Sequence, residues 1–77
     1  MENLLDRIEI NPAIMLGKPI IKGTRIAVET IVEELASGYT KEDILKAHPN
    51  LKETDILAAL QYASAIMKNE KIYRSAS

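Results

Sequence analysis

Residues 17–26 read GKPIIKGTRI, and the rest of the 77-residue chain is legible outward from them. The ten positions hold two glycines, one proline, three cations and three isoleucines. Gly17 and Gly23 admit positive φ at no steric cost, while Pro19 fixes its own φ and pushes Lys18 toward extended geometry. The stretch therefore reads as a shaped loop and a short strand within Ile20 to Ile26, with Gly23 marking a bend, a bulge or a close backbone approach. Its charge is one-sided: Lys18, Lys22 and Arg25 fall in a span from Asn11 to Val28 without a single Asp or Glu. A local cationic face on a chain of net charge −1 suits a carboxylate cluster or a phosphate. The competing explanation is a tight turn solvated by Lys and Arg that would be exposed in any case.

Upstream, ENLLDR at residues 2–7 reads as a frayed turn or a short helical arm. R-I-E-I at 7–10 alternates as a half-buried strand does, until Asn11-Pro12 stops it. Downstream the pattern is helical. Val28, Ile31, Val32, Leu35 and Ala36 share one face, Glu29, Glu33 and Glu34 the other, and Gly38 supplies a left-handed stop. A second helix opens at Thr40 as N-cap with Asp43 completing a capping box and Tyr39 placed to staple onto Ile44. Pro49 ends it after His48, leaving Ile44, Leu45 and Ala47 for burial, and His48 reads as a helix-end side chain interacting with the last carbonyls. The third helix starts between Asn50 and Thr54: Asn50 with Glu53 makes one capping box, and Thr54 is the rival start. Its apolar stripe is Ile56, Leu60, Ala63 and Met67, widened by Leu57, Ala59 and Ile66, with Ile72 and Tyr73 as a last docked turn. The fold class is mostly α: three helices after two short strands, a single domain over 1–77, with the strand and glycine-rich segment at 7–26 and the helices within 27–73.

Composition removes several classes of function. The chain has no cysteine and one histidine, so disulfides, thiolate metal sites and a zinc site on His48 are not expected. No signal-peptide pattern and no apolar run of ~20 residues occur, which predicts a cytoplasmic protein without a membrane span. A net charge of −1 lacks the overall basicity of an autonomous nucleic-acid binder, and three tyrosines give no stacking platform for single strands. Phosphate loops of Walker or Rossmann spacing and nucleophile elbows are missing from the sequence, so neither an enzyme nor a cofactor is expected. At this length one core supplies only a few kcal/mol, which predicts a homodimer pairing strand edges near residues 7–10 and 20–26 across a two-fold axis.

The string I-x-I-N-P at 8–12, GKPIIKGTRI, V-x-x-I-V-x-x-L-A-x-G-Y-T-x-E-D-I-L at 28–45, H-P-N-L at 48–51 and D-I-x-A-A-L-x-Y-A at 55–63 resembles the domain-of-unknown-function 433 family. The similarity runs from about Ile8 to Met67, and the matching motif residues are Gly17, Lys18, Pro19, Lys22, Gly23, Thr24, Arg25, Gly38, Pro49 and Leu51. The resemblance implies a homeodomain-like, helix-turn-helix domain preceded by short β elements. It also implies an antitoxin, similar in role to VapB proteins, beside a small PIN-like ribonuclease toxin. Two departures stand out: His48 occupies a place where the family often has an aromatic residue, and Lys52-Glu53 replaces Thr-Pro or similar capping residues.

Lys18, Lys22, Thr24 and Arg25 are the expected partner- or DNA-binding residues, and Gly17, Pro19, Gly23, Gly38, Pro49 and Leu51 the structural ones. Arg25 leads, because its planar fork binds a carboxylate bidentately. The expected function is neutralisation of a PIN-like ribonuclease, with operator DNA as a further partner for autoregulation. The alternative is a helix-turn-helix transcriptional regulator without a toxin partner. Against that alternative, the third helix would present Lys52, Glu53, Thr54 and Asp55 where a recognition helix needs Arg, Lys, Asn or Gln.

Overall fold

The computed structural model describes residues 3–76, with side chains as far as Lys68; the side chains of Ile72 and Tyr73 lie outside the described set. A 3-10 turn at Leu4–Arg7, capped by the Asn3 side chain, leads into β1 (Ile8–Glu9). A second tight turn at Met15–Gly17 precedes β2 (Ile20–Ile21), and three helices follow: α1 (Val28–Ala36), α2 (Lys41–Ala47) and α3 (Glu53–Ala76). The strands are antiparallel, Ile8 opposite Ile21 and Glu9 opposite Ile20. β2 is held on its other side as well. Ile20 bridges to Ala27, the Ile21 N–H donates to the Ile26 carbonyl at 3.0 Å, and the Val28 N–H donates to the Pro19 carbonyl at 2.9 Å. The glycine-rich stretch thus folds back on itself into a small hairpin running straight into α1. Since β2 is bonded on both sides, only β1 retains an outer edge for the pairing expected across a two-fold axis.

Ile21, Val28, Ile31, Ile44, Leu51, Ile56 and Ala59 form the core cluster, with Ile8, Ile26, Val32, Leu35, Leu45 and Tyr62 packed against it. All three helices and both strands contribute, so the hairpin is part of the core and not an appendage. The helix ends follow local rules. Gly38 takes φ 100°, its N–H donates to the Leu35 carbonyl and the Tyr39 N–H to the Glu34 carbonyl, the pair of bonds that defines a Schellman stop. The α2 capping box is complete: the Asp43 N–H donates to Thr40 Oγ1 at 3.1 Å, and the Thr40 N–H to Asp43 Oδ2 at 2.9 Å. Pro49 sits second in the turn from His48 to Leu51, where its fixed φ is already correct, and the Leu51 N–H closes the turn on the His48 carbonyl at 2.9 Å. Leu51 then enters the core.

The third helix starts at Glu53, within the expected range of Asn50 to Thr54; Asp55 accepts the Lys52 backbone N–H at 2.9 Å and supplies half a capping box without a capping side chain. Four other expectations need correction. The inward face of α3 is Asp55, Ile56, Ala58 and Ala59, whereas Leu57, Leu60, Ile66 and Met67 are exposed. The small alanines admit close approach to the neighbouring elements, and the larger side chains turn outward. Ala47 is exposed rather than buried. Glu34 is partly buried, because His48 pairs with it instead of with the last carbonyls of α2. The staple residue Tyr39 remains 48% exposed.

Candidate partner-binding site

The turn from Ile21 to Thr24 is what places Arg25. Gly23 has φ 82°, in the left-handed region that a residue with a Cβ enters only with strain. The Thr24 N–H donates to the Ile21 carbonyl at 3.0 Å, and its hydroxyl donates to the same carbonyl at 2.8 Å while accepting the Ile26 N–H at 3.0 Å. Thr24, expected at the binding surface, is therefore engaged in closing the turn. Arg25 follows it, exposed and with no ion pair among the described residues. The acid nearest to it along α1, Glu29, pairs instead with Lys18 at 2.9 Å.

Arg25 stands at an open cleft of about 660 Å³. Gly23, Thr24, Arg25 and Ile26 form one wall, Ala47, His48, Pro49 and Asn50 at the α2–α3 corner the other, and Glu9 and Ile14 complete it. His48 braces the second wall: its Nε2 lies 3.2 and 3.3 Å from the two carboxylate oxygens of Glu34, which ties the corner to α1. The other two motif cations point to different places. The Lys18 ammonium is held by Glu29, a hydrogen bond and charge that raise its pKa above the usual lysine value. Lys22 lines a separate small cleft with Asp6, Arg7 and Asp55. The single cationic face suggested by the sequence is thus divided, with Arg25 alone at the larger cleft.

Sequence reasoning missed two features. Asp55 is 5% exposed and forms an ion pair with Arg7 at 3.0 Å, joining the first turn of α3 to the start of the chain. An acid at the third position of a helix is a readable signal; its partner 48 residues away is not. Asp55 therefore does not face solvent at the start of α3. Glu53 does, and it is paired with Lys41 at 2.9 Å. The second missed feature is the turn before the motif: Met15 and Leu16 have φ 51° and 58°, and Leu16 is 94% exposed. Nothing in the residue types Met-Leu announces left-handed backbone.

Three helices in helix-turn-helix order after two short antiparallel strands make this a small, mostly α domain of the helix-turn-helix type. The chain belongs to the family described as Protein of unknown function (DUF433), whose model matches residues 8–63. The chain is similar to an uncharacterised protein of Sinorhizobium fredii, y4eO, at 36% identity over 55 residues; the match takes in 71% of this chain and 25% of the relative, so the chain spans about a quarter of that protein's length. Among solved structures, it is similar to a DUF433 member protein from Anabaena variabilis, with a TM-score of 0.74 and 32% identity over 90% of this chain and 66% of the other.

Proposed function

We propose that this chain is an antitoxin-like binding protein that neutralises a PIN-like ribonuclease, similar in role to VapB proteins, and that Arg25 is its principal cation. The observation that carries this reading is an exposed arginine, without an internal ion pair among the described residues, at the lip of an open cleft. The turn beneath Arg25 already satisfies its own hydrogen bonds, so the side chain is offered with little backbone left to order on binding. Metal-dependent nuclease sites are carboxylate clusters, and the guanidinium fork matches them. Operator DNA is a second partner, favoured by the inward turn of Asp55, which removes one of the two acids that would repel phosphate at the start of α3.

The test is co-expression with a PIN-like ribonuclease whose gene neighbours that of this chain. Arg25→Ala and Arg25→Lys are both expected to lose growth rescue, because the lysine keeps the charge without the fork, while the melting temperature stays unchanged. Rescue by both variants would remove Arg25 from the mechanism. A large fall in melting temperature would assign it a structural role instead.

A further inference from the structure

We propose that a second copy of this chain docks on the outward face of α3, the two helices running antiparallel about a two-fold axis. At 100° per residue, Leu57, Leu60, Ser64 and Met67 share the side opposite Asp55, Ala58, Ala59 and Tyr62. Their spacing of three, four and three residues is that of a helix-pairing seam. Leu57, Leu60 and Met67 are 47%, 41% and 64% exposed on a helix whose other side already fills the core. The inward side of the helix needs none of them.

The charges at the ends of the seam choose the occupant. Glu53, with a side chain 59% exposed, precedes Leu57 by one turn on the same side, and the exposed Lys68 follows Met67. From start to end the seam reads acid, apolar, small, apolar, base, a pattern complementary to itself when reversed. An antiparallel second copy sets Leu57 against Met67, brings Lys68 toward Glu53 at both ends, and leaves Leu60 and Ser64 near the axis, where the small serine admits close approach. A parallel copy would stack Glu53 on Glu53 and Lys68 on Lys68. The present Glu53–Lys41 contact is an exposed pair of the kind that contributes little and does not compete. The contact has the same patch on both partners, as a two-fold requires, and uses neither Arg25 nor the edge of β1. Because the seam covers only about three turns, its area falls in the class of weak, concentration-dependent interfaces.

Sedimentation velocity of the full chain from about 1 to about 200 µM is expected to show the mass rising from one chain toward two, the range over which a weak interface dissociates. Met67→Glu places an acid opposite Leu57 and beside Glu53, and is expected to keep the chain monomeric throughout with an unchanged melting curve, since Met67 lies outside the core. The chain has no cysteine, so single-cysteine variants report the orientation cleanly. A mixture of Leu57→Cys and Met67→Cys chains is expected to form a disulfide-linked pair on mild oxidation, and Met67→Cys alone is not. A monomer across the range, a dimer indifferent to Met67→Glu, or efficient self-linking of Met67→Cys would each overturn the proposal.

Discussion

Two residues carry unusual energetic weight for opposite reasons. Asp55 lies buried between the Arg7 guanidinium and the Lys52 backbone N–H, so removing Arg7 leaves a carboxylate stranded out of water. Arg7→Ala is expected to destabilise the fold by about 3 kcal/mol in urea unfolding, and the Arg7→Ala, Asp55→Ala double variant by clearly less than the sum of the two single changes. Strict additivity would show that the two groups do not act as a pair. Leu16 is the reverse case. It keeps left-handed backbone at φ 58° while 94% exposed, so it holds strain and contributes almost no burial. Asparagine tolerates that conformation without the extra unfolded-state freedom of glycine. Leu16→Asn is therefore expected to raise stability by about 1 kcal/mol. A lower melting temperature would mean that the leucine side chain packs in a way its exposure does not show.

Among the elements, α2 depends most on its own ends. Its capping box holds the Asp43 carboxyl below the usual aspartate range, chiefly because the Thr40 backbone N–H and side chain favour the charged form. A carboxyl with a lowered folded pKa contributes stability that is fully present above its ordinary value of 3.8 and is lost as pH falls below it through the folded value. Thermal melts of wild type and Asp43→Asn from pH 7 downward should converge below that value; a constant difference would detach Asp43 from the acid response. These same ends explain what the sequence made legible. Gly38, Thr40, Asp43 and Pro49 act within a turn of their own position, so the limits of α1 and α2 could be read from residue types alone. The inward face of α3 could not, because the helix carries apolar residues on two faces and periodicity does not say which one packs inward. Ala58 and Ala59 decided that through close approach. The candidate site was half legible for the same reason: Gly23, Thr24 and Arg25 are adjacent in sequence, but the facing wall of His48, Pro49 and Asn50 is brought there by the tertiary fold. The divergence of Lys18 and Lys22 from Arg25 followed from the Glu29 partner of Lys18 on α1 and from the cleft that Lys22 shares with Asp6, Arg7 and Asp55, neither of which a local pattern names.

At the scale of the whole molecule, a domain of this length has little core to spare, and the chain spreads the task widely. Strands, hairpin and all three helices meet in one cluster, so the turn that carries Arg25 is anchored by the residues that hold the fold together. Arg25 and the outer side of α3 are thus two exposed features of one fold, and they share no residue. The long-range closure through Arg7 and Asp55 also has a consequence during synthesis. The turn at Leu4–Arg7 leaves the ribosome before α3, yet the carboxylate that fixes it is 48 residues behind. At about 5–20 residues per second, that turn waits roughly 2–10 s for its partner. Throughout that interval Leu4 and Ile8 have no α3 to lie against, so a turn made before α3 finds its place only after α3 has followed.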